Sequence, residues 1–265
     1  MSLNPTDRDA SENLWHTYLS LGRSLPGSRL IEEDGFRACL GVHDHPICNF
    51  ALDLLLDPWV VRKLSRIAAE RPSFRIYVLP GDRPTHSQEL MVRSGFRETH
   101  SLVAMGAGGQ EAKLDLPVER VHSVDDRRQI AEFMAAQFFS VHKQDFRKTV
   151  AEATFLAEDL ELYRVGDQSR PMAAFMLSRS GETLGLYNLC VSARLRRRGL
   201  GARLLSWCKN LAFSESRSVV LQCDSGLTPW YCRNEFNSLG TIRVFSLPKV
   251  EPTDIITSGS LLSRA

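Results

Sequence analysis

Between Asn188 and Leu211 the chain reads NLCVSARLRRRGLGARLLSWCKNL, with five arginines gathered around two glycines before an apolar run. These are groups that hold phosphate. Guanidinium forks make charge-assisted bonds to phosphate oxygens, and Gly199 and Gly201 let backbone approach a ligand closely because no Cβ intrudes. Leu200, Leu204, Leu205, Cys208 and Leu211 recur at helical spacing, so a helix begins near Gly201. Its start presents amides without intrahelical partners and a partial positive charge. The chemistry indicated is the holding of a diphosphate. The spacing matches neither GxxxxGK[ST] nor GxGxxG; it is RxxGxG, from Arg196 to Gly201. A nucleic-acid surface would need a wider basic face with interleaved aromatics, which the flanks lack. With a net charge of only +2 over 265 residues, any anion site must be local.

The elements that position this junction follow from pattern. A weakly helical stretch around Leu14–Leu21 precedes the strand GFRACLG and a loop, PICNFALDLLL, that runs into a second strand. Asp57 and Pro58 open a helix whose apolar face is Trp59, Val60, Leu64, Ile67 and Ala68. The strand FRIYVLPG, a short helix ending at Gly95 and the strand THSLVAMG complete the first half. Gly106–Pro117, rich in glycine and polar residues, reads as a boundary, giving units at 1–110 and 117–248 with a loose tail at 249–265. The second unit contains the strand VERVHSV, helices over Asp125–Phe139 and Asp145–Ala157, and three strands, the last two joined by a hairpin at Gly181–Glu182. After the basic junction come the helix to about Phe213, the strand SVVLQCD, a short helix near Trp230 and the strand GTIRVFSL. This order implies an α/β or α+β mixed sheet and excludes a regularly alternating doubly wound domain.

Composition narrows the class. Hydrophobic residues make up 43% and charged residues 24%, ordinary for a globular chain. The six cysteines contain no CxxC pair, a pattern expected of a reducing cytoplasm, without disulfides or structural zinc. The N-terminus lacks the apolar core of a signal peptide. No apolar stretch approaches the ~18 residues of a membrane span.

The run LCVSARLRRRGLGARLL resembles the acetyl-CoA signature of the GCN5-related N-acetyltransferases (GNAT), Q/R-x-x-G-x-G/A after a strand, with Ala193 where proline is common. Further on, WYCRNEFNSLGTIRVF resembles the family's closing LYxxxGFxxxG segment, with Glu235 in place of its glycine. The resemblance covers roughly residues 117–248 and implies an acyltransferase. Backbone of Leu189 and Val191 would pair with the pantetheine arm, and Arg196, Arg197, Arg198, Gly199, Leu200, Gly201 and Ala202 would hold the diphosphate. Asp224 and Ser225 would border the thiol, and Tyr231 would protonate the departing thiolate. The acceptor implied is the primary amine of a small molecule or peptide, with no metal, nucleic acid or membrane involved. ELMVRSGFRETHSLVAM resembles the same closing segment and keeps Gly95 and Phe96. The chain therefore resembles two GNAT-like domains in tandem. The first lacks RxxGxG and has Met91 where the second has Tyr231, as expected of a degenerate copy that shapes the substrate pocket, with GVHDHPICNF as a lining segment.

Other candidates read more plainly. His43 and His45 suit polar surface or pocket lining better than a metal, Cys190 reads as an ordinary buried thiol, and His142 is a lesser candidate for substrate contact. LGLYNLCV offers no glutamate as general base, which leaves water or Asp224. A non-catalytic acyl-CoA-binding or regulatory protein of the same fold is the alternative.

Overall fold

Thr6 sets the first helix of the protein, whose computed structural model describes residues 4–82, 84–112, 115–167 and 170–248. The Thr6 hydroxyl accepts from the Asp9 amide while the Asp9 carboxylate accepts from the Thr6 amide, a reciprocal cap for α1 (Asp7–Ser24). This helix is 18 residues long, well beyond the weak stretch expected. Its buried face mixes Leu14 and Leu21 with Asn13, Thr17 and Ser20, which blurs the apolar period.

There follow β1 (Arg29–Glu33), β2 (Phe36–Leu40), β3 (Asn49–Leu52), α2 (Pro58–Glu70), β4 (Arg75–Val78), α3 (Pro84–Arg93) and β5 (Arg97–Gly108). The sequence reading missed β1 because an edge strand reading RLIEE, mostly exposed, has no apolar alternation. The second half is β6 (Val118–Arg120), α4 (Val124–Phe138), α5 (Gln144–Leu156), β7 (Glu161–Val165), β8 (Ala173–Ser180), β9 (Thr183–Val191), α6 (Leu200–Ser214), β10 (Ser218–Cys223), α7 (Thr228–Arg233) and β11 (Asn237–Ser246). The tail expected to be loose, 249–265, lies outside the described residues.

The described strands form one mixed sheet in the order β1-β2-β3-β4-β11-β5-β10-β9-β8-β7-β6. Element order repeats: β1-β2-β3-α2-β4-α3-β5 matches β7-β8-β9-α6-β10-α7-β11. Pairing repeats too, with two antiparallel pairs followed by a parallel one, β3–β4 and β9–β10. The last strands are exchanged. β11 pairs with β4, β5 pairs with β10, and the two lie antiparallel against each other between the halves. Phe245 of β11 therefore packs in the core around α2, and Met105 and Ala107 of β5 pack in the core under α6. Gly106, placed in the boundary by its composition, instead pairs within β5 with Val220 and Asn237.

Alternate strand residues face opposite layers. One face packs α2 and α6, and the other packs α1, α4 and α5. Helix α1 spans the junction. Buried Asn13 donates to the Ser178 carbonyl (3.1 Å) and to Thr183 Oγ1 (2.9 Å), and accepts from the Tyr187 hydroxyl (2.9 Å). This approach requires glycine at 185, where a Cβ would lie 1.9 Å from Asn13 Oδ1. Gly185→Ala should accordingly destabilise the protein by about 1–3 kcal/mol, the usual cost of overpacking, read as a lowered urea midpoint.

Candidate active site

β9 and β10 are paired from Thr183/Ser218 to Leu186/Leu221 and then part. The cause lies in β9. Between the pairs Met176/Tyr187 and Ala174/Cys190, the two residues Asn188 and Leu189 stand opposite Phe175 alone, and Asn188 takes φ 51°. Such a bulge bends a strand and raises its twist, and asparagine tolerates the left-handed conformation better than most residues. The edge of β9 around Leu189 and Val191 is thus left without a pairing strand on the β10 side among the described residues.

The chain leaves this splay through a single 3₁₀ turn, Ala193–Leu195, and enters α6 at Gly199, which has φ 80°. No side chain caps the helix, so the amides of its first turn, Leu200, Gly201 and Ala202, have no intrahelical carbonyl to bond. Arg196, Arg197 and Arg198 are exposed around it. Arg197 also takes a left-handed φ of 62°, which turns the chain sharply. Arg196 does more than add charge. Its guanidinium donates to the Val191 carbonyl (3.0 Å) and to Gln137 Oε1 (3.1 Å), tying the turn to the strand end and to α4. A Cβ at 199 would meet nothing within 4 Å, whereas one at 201 would lie 3.3 Å from the Trp230 ring.

The corresponding helix of the first half is closed. The Asp57 carboxylate caps α2 by accepting from the Trp59 and Val60 amides, both at 2.7 Å, and Pro58 has no N–H. A phosphate there would meet a carboxylate where α6 offers arginines. Met91 is wholly buried in the first core.

Tyr231 is buried on α7, edge-on to Trp230 (centroids 4.7 Å) and Phe236 (5.8 Å). Burial, reinforced by the Cys223 and Cys208 thiols, pushes its phenol above the ordinary tyrosine value. Glu235 follows, where the family motif has glycine, and adopts the conformation glycine would favour, φ 67°. Its carboxylate pairs with the Lys209 ammonium, a side chain only 6% exposed. A non-glycine residue costs roughly 1 kcal/mol in that conformation, and the corresponding Gly95 has φ 87° with Phe96 buried beside it.

Tyr231, Asn188, Leu189, Cys223 and Asp224 open onto a cavity of about 560 Å³ between the halves. The first half contributes Tyr18, Phe50, Tyr77 and His100, together with His45, Pro46 and Ile47 of the segment expected to line it. His142 lines it as well, stacked on Phe146 at 4.5 Å. His43 and Ser225 are exposed outside the wall, and Cys190 is a buried thiol whose pKa burial raises to about 12. At the mouth, His100 Nε2 lies 3.6 Å from Asp224 Oδ1. Sequence reasoning missed His100, Tyr18, Tyr77 and Gln222. Nothing local marks them, because they come from α1, β4, β5 and β10 and meet only when the two halves close on each other. Among the described residues no three His, Cys, Asp or Glu side chains gather as metal ligands, and no helix is long and apolar enough to cross a membrane.

His45 Nδ1 accepts from the Ile47 amide (3.0 Å), and burial lowers the ring's pKa to about 4. A depressed histidine favours the neutral form in the fold, so the unfolded chain binds the proton first. Stability should fall as pH drops from 6.5 toward 4, and His45→Asn should flatten that slope in urea melts.

No family model matches the sequence, and no curated protein matches it. Solved structures do match. A GCN5-related N-acetyltransferase from Kribbella flavida superposes with a TM-score of 0.66, covering 93% of this chain and 96% of that one at 16% identity. A GCN5-related N-acetyltransferase from Sphaerobacter thermophilus does so at 0.54, over 92% and 94% at 13% identity. A tandem GNAT protein from the clavulanic acid biosynthesis pathway does so at 0.51, over 92% and 97% at 10% identity. At these identities the likeness is one of architecture, and over nearly its whole length the chain has the fold of the GCN5-related N-acetyltransferases.

Proposed function

We propose that the protein is an acetyl-CoA-dependent N-acetyltransferase that acylates a primary amine of a small molecule or peptide by direct attack. One observation carries this reading: the uncapped, arginine-ringed start of α6, the splayed edge of β9 and the Tyr231 cavity are contiguous along one end of the sheet. The donor set fits a nucleotide diphosphate followed by an extended arm. Amides of Leu200, Gly201 and Ala202 with Arg197 and Arg198 hold the diphosphate, and Arg196 braces the turn while adding charge. Backbone of Leu189 and Val191 holds the pantetheine, with Ser225 near its end. The capped and proline-started α2 supports a first half that no longer binds cofactor and instead walls the acceptor site. Six free cysteines, five of them buried, suit a reducing cytoplasm.

Acetyl-CoA supplies the thioester. The strand amide at Leu189 polarises the acyl oxygen as charge develops on it. His100, beside Asp224, takes the proton from the amine nitrogen as its lone pair attacks the acyl carbon. The N–C bond forms, the C–S bond breaks, and Tyr231 gives its phenolic proton to the departing sulfur. Products are the amide and CoA thiol, and solvent restores the protons.

Free-thiol release over a panel of amines tests the reading. His100→Gln should lower kcat roughly 10²-fold, with acetyl-CoA affinity unchanged. An unaltered kcat would assign the proton to water instead. Tight acetyl-CoA binding with no thiol release from any amine would leave an acyl-CoA-binding protein.

A further inference from the structure

The cavity walls restrict the acceptor, an inference that rests on the acetyltransferase reading. Tyr18, Phe50 and Tyr77 form one wall through mutual edge-on contacts at 5.0–6.2 Å. The rings of Phe139 and Phe146, 5.4 Å apart, belong to another. Among the described lining residues there is no lysine or arginine, and Asp224 at the mouth, already facing His100, is the one carboxylate. An acceptor carrying a carboxylate or phosphate would lose its hydration there with no lysine or arginine to replace it. A polyamine would meet a single acid at the entrance and rings beyond. An apolar or aromatic body gains buried area and edge-on ring contacts instead. Polar groups line it too, His45, His142, Thr154, Asn188 and Gln222 among them, and His45 Nε2 is buried without a hydrogen-bond partner. The Gln222 side-chain amide donates to Tyr18 Oη at 2.7 Å, and its other polar atom, Oε1, is buried without a hydrogen-bond partner.

We propose that the acceptor is an aromatic or otherwise apolar primary amine, free of carboxylate, phosphate or a second ammonium group. A cavity of about 560 Å³ accommodates a molecule of that class.

The test has two arms on the full-length protein. Thiol release at saturating acetyl-CoA is measured with 2-phenylethylamine and tryptamine against spermidine, glutamate and a hexosamine phosphate. Separately, 2-phenylethylamine binding is measured by calorimetry without acetyl-CoA. The expected result is kcat/KM at least about tenfold higher for the aromatic amines, each ring contact contributing a few-fold. Phe138→Ala, at a lining residue 46% exposed and therefore safe to truncate, should raise KM for 2-phenylethylamine roughly threefold more than KM for ethylamine. Phe146→Leu should do the same more strongly. Faster turnover of spermidine or glutamate would overturn this inference and leave the acetyltransferase reading standing. Failure of acetyl-CoA to bind, with 2-phenylethylamine still bound and weakened by Phe138→Ala, would overturn the acetyltransferase reading and keep the pocket assignment. Absence of both bindings would overturn both.

Discussion

Arg196→Ala combined with Gly201→Asp should abolish measurable acetyl-CoA binding by calorimetry. The aspartate places a carboxylate in the first turn of α6, where the proposed diphosphate sits and the unpaired amides carry partial positive charge. Its Cβ also meets the Trp230 ring at 3.3 Å. Removing Arg196 deletes one charge and unties the turn from Val191 and Gln137. Each lost charge-assisted bond costs about 1.5–3 kcal/mol, and like-charge repulsion adds to that, so Kd should rise by roughly 10³-fold or more. Thermal melts separate this effect from misfolding. Both positions lie on the surface or partly so, so the ligand-free melting temperature should move by only a few degrees, while the shift induced by acetyl-CoA should vanish. Gly199→Ala isolates the backbone contribution. With nothing within 4 Å of its Cβ, that substitution acts through the left-handed φ alone, at about 1 kcal/mol. Binding retained by the double variant would remove the diphosphate from this junction.

Tyr231→Phe should separate chemistry from binding. The ring keeps its contacts with Trp230 and Phe236, and only the hydroxyl goes. Acetyl-CoA affinity should stay within twofold of the parent while kcat falls by about 10²–10⁴, the range for loss of a general acid. The direction of the phenol's shift adds a pH signature. Burial raises its pKa, so the proton-bearing form persists above the ordinary tyrosine value of 10 and is lost only at still higher pH. The parent's activity should therefore show no alkaline fall near pH 10 from this group. A kcat unchanged by the substitution would make Tyr231 a packing residue of the second core.

Features that depend on a few neighbouring residues were legible along the chain. Asp57 with Pro58 starts α2, Gly95 ends α3 in the left-handed region, and the glycine–arginine run opens α6 without a cap. Helix starts, caps and positive-φ turns are settled within four or five residues, and so they can be read in order. Long-range packing settled the rest. That β11 pairs with β4 and β5 with β10, that α1 crosses Gly185, and that His100 comes to face Asp224 were not readable from the residues in order. A strand edge presents the same N–H and C=O row to any partner, so its residues do not name the strand that will pair with it. Only the closing of the whole sheet, with both cores filled by strands from the opposite half, selects that order and with it the cavity between them.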